Sequence, residues 1–196
     1  MRWALVLGVV LQGCGAMMLT ADAGLDAGVA DDAGARGDAG SFRLSGPGFV
    51  EGGDGGLVLP REYTCDVDGG GLSPPLAWAG VPAGTVEFAL VMTTVARDGL
   101  KYNWVVWGIP GAVRALSAGS TGGGVAGLTS DGPQLAYAPP CSQGPGAKSY
   151  TFTLAALSAP PRLSSPAAME RGDVLEADIA PVTLGRASIT VSSTRP

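Results

Sequence analysis

The sequence predicts a mostly β domain, with antiparallel strands and one or two short helices near its C-terminal end. Glycine and proline account for 32 and 15 of the 196 residues, which is too many for a helix bundle because both residues interrupt long helices. Runs of β-branched and aromatic residues alternate with Gly, Pro, Asp and Ser, as is typical of strands separated by turns. One stretch close to the C-terminus has the pattern of a helix.

Four runs of the sequence predict strands. Residues 87–92, 102–107 and 150–157 read EFALVM, YNWVVW and YTFTLAAL, and each run is bounded by turn residues. Residues 187–193 alternate Ile189 and Val191 with Ser and Thr, which predicts one buried face and one exposed face. Together the runs favour antiparallel strands with a helix or two covering the end of the domain.

The helical pattern begins near Asp173. This residue can cap the helix, and Glu176 stands three positions later, where it would complete a capping box. Pro181 would end the helix because proline does not continue it. The predicted apolar stripe of this helix consists of Val174, Leu175 and Ile179.

The composition excludes several classes of protein. The chain has no histidine, so a Ser-His-Asp triad, a histidine-activated cysteine and a histidine-containing zinc site are all excluded. Its formal net charge is −5 and only 15% of its residues are charged, which argues against binding to nucleic-acid phosphates. We therefore predict a protein that is not an enzyme, that uses no metal or cofactor, and that has no nucleic-acid partner.

Residues 1–14 predict an export signal. Arg2 provides the positive start, and the apolar run that follows is much shorter than the roughly 20 residues of a membrane-spanning helix. Residues 11–14, LQGC, resemble the bacterial lipobox, in which cleavage makes the cysteine the first mature residue and acyl chains are attached to it. On this interpretation Cys14 anchors an exported protein to a membrane of the bacterial cell envelope, in the periplasm or at the cell surface. The alternative is an ordinary signal peptide with an incidental cysteine.

Residues 15–40 predict a disordered tether between the signal and the folded domain, which we place at residues 41–196. The tether has no aromatic residue and contains an imperfect Asp-Ala-Gly repeat. Such a composition buries too little apolar surface to offset the entropy of the chain. The repeat begins at Asp22, Asp26, Asp32 and Asp38.

Several blocks of residues 41–196 resemble a known family. The most specific block is SPPLAW at 73–78; the others are FRLS at 42–45, LPREYTCD at 59–66, FALV at 88–91, WVVWGIP at 104–110, YAPPC at 137–141 and YTFTLAAL at 150–157. In this order they resemble the phosphatidylethanolamine-binding protein family, also called Raf kinase inhibitor-like, and in particular its bacterial YbhB/YbcL branch. The resemblance implies an antiparallel β-sandwich with a small pocket near one end. Its fold-bearing residues, which we expect in the core and turns, are Pro74, Pro75, Trp78, Trp104, Tyr150 and Phe152.

The resemblance also implies where the polar residues of the pocket lie. In the family the pocket holds an anion, typically a phosphate, through an Asp-Pro-Asp loop, a His before the Trp, and a His-Arg pair before the late aromatic strand. The matching positions here are Thr94 in the loop, Asn103 before the Trp, and Lys148 with Ser149. Lys148 alone of these is charged, and a loop lysine facing solvent is its alternative interpretation. Because charge-assisted hydrogen bonds are about twice as strong as neutral ones, we expect weakened anion binding.

These substitutions predict a non-enzymatic binding module. The resemblance implies that its ligand is a small polar molecule, a phospholipid head group or a protein partner, and it permits a role as an inhibitor of a kinase or a protease. The alternative is a structural or surface-display protein whose pocket no longer binds a ligand.

Cys65 and Cys141 fall in blocks where the bacterial branch of the family commonly has cysteines. In an exported protein such a pair favours a disulfide. Two buried thiols, or one reactive thiol, are the alternatives.

Overall fold

The computed structural model describes residues 40–66, 71–132, 135–141 and 146–194. The predicted signal with Cys14 and the predicted tether up to residue 39 lie outside the described residues. The strands are β1 (Arg43–Ser45), β2 (Val50–Glu51), β3 (Leu57–Val58), β4 (Leu76–Ala79), β5 (Glu87–Ala96), β6 (Gly99–Pro110), β7 (Ala115–Leu116), β8 (Val125–Ala126), β9 (Lys148–Leu157) and β10 (Thr183–Ser193). One α-helix, α1 (Gly172–Ile179), and short 3-10 turns at Arg61–Tyr63, Ala167–Met169 and Ala180–Val182 complete the elements.

The strands form two sheets, and the predicted mostly antiparallel β architecture is confirmed. The large sheet has the order β2-β3-β10-β9-β5-β6-β8, and the small sheet has the order β1-β4-β7. All the ladders are antiparallel except the short pairing of β10 with β3. Each of the four predicted strands exists, and each is longer than the run that predicted it. The two outermost strands of the large sheet, β2 and β8, are only two residues long.

The main core lies between the two sheets. Strand alternation explains its composition, because successive side chains of a strand point to opposite faces. On β9, residues 150, 152, 154 and 156 belong to the main core, whereas residues 155 and 157 belong to a second core on the other face of the large sheet. Trp78 of the small sheet packs edge-on against Phe88 of the large sheet, with ring centroids 5.3 Å apart. The expected core positions Trp78, Trp104, Tyr150 and Phe152 are all buried.

Helix α1 covers the outer face of the large sheet. Leu175 and Ile179 pack in the second core, while Val174 of the predicted stripe is only half-buried. The helix ends at Ile179, and Pro181 lies in the 3-10 turn that follows, so the predicted end is confirmed. Within the described ranges, no helix has the length and hydrophobicity needed to cross a membrane.

The predicted capping box of α1 is wrong. The N-cap residue is Arg171 and makes no side-chain capping bond, and Asp173 lies inside the first turn. Glu176 does not reach back to the cap because it accepts a hydrogen bond from the Tyr102 hydroxyl at 2.6 Å. The helix also starts earlier than predicted, at Gly172, where a Cβ atom would collide with the ring of Tyr102. Contact with β6 therefore sets the start of this helix.

A disulfide joins Cys65 and Cys141, as predicted, across 76 residues of sequence. Two further bonds tie the same segments: the Cys65 N–H donates to the carbonyl of Pro140 at 3.1 Å, and the Tyr137 hydroxyl donates to the carbonyl of Tyr63 at 2.9 Å. The segment at residues 135–141 is thus held against the 3-10 turn that precedes Cys65.

Glu170, directly before the helix cap, is a fully buried carboxylic acid (0% exposed). Its main-chain carbonyl accepts a hydrogen bond from the Leu128 N–H, but neither carboxylate oxygen makes a hydrogen bond of good geometry to the described residues. Burial is the main cause that raises the pKa of Glu170, and the nearby Asp178 and Asp173 raise it further, while the backbone N–H of Ser165 opposes the shift in part. An ionised Glu170 is therefore costly at neutral pH.

Removing the disulfide should destabilise the domain. We expect the double substitution Cys65→Ser/Cys141→Ser to lower the free energy of unfolding by about 2–4 kcal/mol, because the unfolded chain regains the entropy of an open loop. Urea unfolding with and without a reductant measures this. The reduced wild-type protein should match the variant, and the variant itself should not respond to the reductant. An unfolding midpoint of the wild type that is insensitive to reduction would contradict the prediction.

Glu170→Gln should stabilise the protein at neutral pH. An acid whose pKa is raised by folding contributes stability fully below its unfolded pKa, and that contribution is lost as the pH rises through its folded pKa. Glutamine cannot ionise, so the substitution removes the penalty of ionising a buried carboxylate, which is about 1 kcal/mol. We expect Tm to rise by about 2–4 °C at neutral pH and to change little near pH 4, where the carboxyl is already protonated. Thermal unfolding followed by circular dichroism across this pH range measures the effect. Glu51→Gln, at an exposed position of β2, is the matched control, and a lower Tm of Glu170→Gln at neutral pH would refute the explanation.

Candidate functional site

The predicted site residues gather at one end of the large sheet. Antiparallel pairing brings the C-terminal end of β5 and the N-terminal ends of β6 and β9 to the same end of the sheet. Thr94 lies near the end of β5, Asn103 lies in the first half of β6, and Lys148 and Ser149 begin β9. The structure therefore brings the four residues to adjacent strands, and their part in ligand binding stays a prediction.

Thr94 and β9 are in direct contact. The Thr94 hydroxyl donates to the main-chain carbonyl of Ser149 at 2.8 Å, and Thr94 stands opposite Tyr150 in the ladder. Residues opposite each other share a face, so Thr94 lies on the main-core face with Tyr150. Lys148, two positions before Tyr150, lies on this face too and is half-buried. The exposed side chain of Ser149 lies on the other face, apart from Thr94 and Lys148.

Asn103 occupies a β-bulge. The register between β5 and β6 runs from Met92–Trp104 to Thr93–Tyr102, so Asn103 is an extra residue without a partner in β5. Its side chain is 5% exposed, and its Oδ1 atom has no hydrogen-bond partner among the described residues. Its main-chain carbonyl accepts a hydrogen bond from the Ala138 N–H at 2.7 Å. The disulfide-linked segment thus fixes the backbone of Asn103, while the side-chain Oδ1 atom can still accept a hydrogen bond.

Two tyrosines, Tyr137 and Tyr150, lie close to each other at this end of the sheet. Tyr137 packs edge-on against Trp104 with ring centroids 5.5 Å apart, and burial followed by the proximity of Tyr150 raises its pKa. Burial, and then the carboxylate of Asp131, raises the pKa of Tyr150. Both phenols are therefore protonated at neutral pH. The hydroxyl of Tyr150 has no hydrogen-bond partner among the described residues, so it is available to a ligand.

Sequence reasoning missed two members of this group. Tyr150 was expected only as a core residue because it opens an aromatic strand run, and nothing in that run marks its hydroxyl as unpartnered. Asp131 carries no motif at all; it lies in a turn closed by the bridge between Thr129 and Gly132. The positions matched to the family therefore do not include every charge near the pocket. They omit the carboxylate of Asp131, which acts on Tyr150.

The site offers mainly uncharged hydrogen-bonding groups. These are the amide of Asn103 and the hydroxyls of Thr94 and Tyr150, with one ammonium at Lys148 and one carboxylate at Asp131. Among the residues that the structure describes, no group of three His, Cys, Asp or Glu side chains is placed to hold a metal ion. This arrangement suits a neutral polar ligand better than a phosphate, because Asp131 repels an anion and opposes the attraction of Lys148.

Several relatives and solved structures are similar to this chain. A UPF0098 protein of Aquifex aeolicus is 35% identical over 126 residues, which is 61% of this chain and 71% of that protein. A UPF0098 protein of Methanothermobacter thermautotrophicus is 35% identical over 125 residues, covering 61% of this chain and 80% of that protein. A UPF0098 protein of Chlamydia muridarum is 32% identical over 92 residues, and the chain spans only 59% of its length.

Two crystal structures share the fold. A phosphatidylethanolamine-binding protein homologue from Chlamydia trachomatis matches with a TM-score of 0.66 and 23% identity, over 80% of this chain and 99% of that chain. YbcL of Escherichia coli matches with a TM-score of 0.66 and 21% identity, over 80% of this chain and all of that chain (100%). At these identities the likeness establishes the fold alone.

The family model described as phosphatidylethanolamine-binding protein matches residues 52–193, which is most of the chain. This range includes the long strands β5, β6, β9 and β10, helix α1 and the whole candidate site. The chain belongs to the phosphatidylethanolamine-binding protein family.

Proposed function

We propose that this protein is an exported, lipid-anchored binding module without enzymatic activity, whose pocket takes a small polar ligand and holds phosphate only weakly. The observation that carries the proposal is the state of Asn103. It stands where the family resemblance implies an anion-binding histidine, it is nearly fully buried, and its Oδ1 atom has no hydrogen-bond partner within the described part of the chain. A buried amide oxygen without a hydrogen bond destabilises the folded protein. A polar ligand that donates a hydrogen bond to this oxygen removes that penalty.

The charges around Asn103 support weak binding of phosphate. A site that binds a phosphate dianion tightly surrounds it with cationic donors. Here Lys148 begins β9, and the Asp131 carboxylate, which opposes an anion, acts on Tyr150 at the same end of the sheet. The remaining groups, at Asn103, Thr94 and Tyr150, form neutral hydrogen bonds, which are weaker than charge-assisted ones.

The chemistry of the described side chains supports a role in binding rather than in catalysis. The chain has no histidine to serve as a general base. Cys65 and Cys141 are paired in a disulfide, so neither is a free thiolate. Tyr137 and Tyr150 both have raised pKa values, so neither phenol is an effective base near neutral pH.

Restoring a cationic pocket should restore phosphate binding. We expect the double variant Asn103→His/Asp131→Asn to gain thermal stability in inorganic phosphate, because it adds an imidazole and removes the opposing carboxylate. The gain should be larger near pH 5.5 than near pH 8, since imidazolium forms at the lower pH. The wild type should gain little. Differential scanning fluorimetry with phosphate, and with chloride at equal ionic strength, measures the effect.

Asp54→Asn is the matched control, since it likewise removes a turn carboxylate, but one in the β2–β3 turn, outside the site. A large phosphate shift in the wild type would overturn the proposal of weak anion binding. If the double variant folds but gains nothing, the alternative of a structural protein with a closed pocket is favoured instead.

The anchor has its own test. When the full chain is expressed in a bacterial host, we expect the mature protein to begin at Cys14 and to carry acyl chains, because several chains on one residue hold a protein firmly on a membrane. Mass spectrometry of the N-terminal peptide from the membrane fraction measures this. Cys14→Ser should move the protein to the soluble fraction. An unmodified Cys14 in the membrane fraction would contradict lipid anchoring.

A further inference from the structure

A cleft of about 380 Å³ lies beside the start of β6 and shares no lining residue with the four predicted pocket residues. Its volume is at the lower end of the range typical of small-molecule sites. The walls are the first residues of β6, the segment 128–132 and the residue that caps α1. The lining residues are Leu100, Lys101, Leu128, Thr129, Ser130, Gly132 and Arg171.

Backbone hydrogen bonds fix the walls of this cleft. The Ser130 N–H donates to the carbonyl of Tyr102 at 2.8 Å, and the Tyr102 N–H donates in return to the Ser130 hydroxyl oxygen at 2.9 Å. On the other side, Leu128 forms a parallel bridge with Arg171, and its N–H donates to the carbonyl of Glu170. The segment 128–130 is therefore held to β6 and to the start of α1 at once, so a ligand finds the cleft already formed.

The accessible polar groups of the cleft are donors. Thr129 is 8% exposed, and its hydroxyl oxygen is inaccessible to solvent, so this residue forms part of the wall without offering a donor. The Ser130 hydroxyl accepts from Tyr102, so its own proton is free to be donated. Arg171 contacts Asp173 through Nε only, which leaves its two terminal nitrogens without a partner among the described residues. Lys101 adds an ammonium, which is paired on one side with Asp98.

Two leucines give the cleft an apolar side. Leu128 is half-buried, and Leu100 is 51% exposed on β6, next to Lys101. An apolar group bound against them would remove leucine surface from water, which stabilises a complex in proportion to the area buried. The cleft therefore presents cationic donors and an apolar surface within one small volume.

The charge balance selects a ligand with a single negative charge. Each of the two cations already faces one carboxylate, Asp98 or Asp173, and both contacts are on the surface, where ion pairs are weak. One carboxylate from a ligand can therefore compete for Lys101 and Arg171. A phosphate dianion would meet two nearby acids and would leave the leucines uncovered.

We propose that this cleft is a second binding site, adjacent to the family pocket, for a small organic anion with one carboxylate and a short apolar tail. The carboxylate lies between Lys101 and Arg171 and accepts a hydrogen bond from the hydroxyl of Ser130. The tail lies against Leu100 and Leu128. The two cations hold and orient the acid group, and the leucines restrict the tail.

The test uses the full chain and sodium hexanoate as the probe. In a ¹H–¹⁵N NMR titration we expect saturable shifts, with a Kd of about 1 mM, concentrated in the amides of residues 100–101, 128–132 and 171. Hexanol, which has the same tail without the charge, should bind about tenfold more weakly. Inorganic phosphate should not shift these amides.

Matched variants test the roles of the side chains. Lys101→Ala/Arg171→Ala should weaken hexanoate binding at least about tenfold, whereas Arg97→Ala, which removes an exposed cation from the nearby β5–β6 turn, should change nothing. The same spectra report whether each variant is folded. Equal affinity for hexanol and hexanoate, shifts centred on Asn103 instead of the cleft, or an equal loss with Arg97→Ala would each overturn the proposal. None of these outcomes depends on whether the family pocket binds phosphate.

Discussion

Burial on both faces of strands β5, β6 and β9 is the constraint on which the rest of the structure depends. Phe88, Leu90 and Trp104 point into the main core, while Val91 and Val105 point into the second core, and all are nearly inaccessible to water. Such strands fold only if each face is covered by another element. The small sheet covers one face and helix α1 covers the other, so both covers are obligatory parts of the domain.

Both candidate sites lie where this double cover ends. Beyond Thr94, β5 no longer pairs with β9, and the β5–β6 hairpin continues alone to Ala96 and Gly99. Asn103 leaves the regular ladder here through its bulge, and the segment 128–132 attaches to the free edge of β6. Polar groups that a regular sheet would pair are available for ligands at this end, although the cores a few residues away hold the backbone rigid.

The sequence predicted the elements of the fold better than the details of the sites, and the reason is physical. The alternation at Ile189 and Val191 and the aromatic run from Tyr150 are local patterns, and the strands follow them. The start of α1 depends instead on Tyr102, which is distant in sequence. Its hydroxyl donates a hydrogen bond to Glu176, and its ring packs against Gly172 where a Cβ atom would lie. Short-range spacing alone contains no information about such a contact.

The same limit applies to the candidate site. Matching residues to a family identified Asn103, because the following Trp104 fixes the alignment, but it did not indicate the bulge that leaves its amide unfilled. Asp131 acts on Tyr150 only because a turn closed by Thr129 and Gly132 returns the chain to the sheet. Ser149 was matched to the pocket but does not face it. Successive residues of a strand point to opposite faces, so Lys148 shares the face of Thr94 and Ser149 lies on the other face.

The short border strands of the large sheet have a consequence for molecules crowded at high local concentration. A sheet grows from molecule to molecule when a long edge offers a row of free N–H and C=O groups in register. Here β2 and β8 each offer two residues, too few to template an extended strand from a neighbour. The border strands β2 and β8 therefore offer a neighbouring molecule no extended strand to pair with.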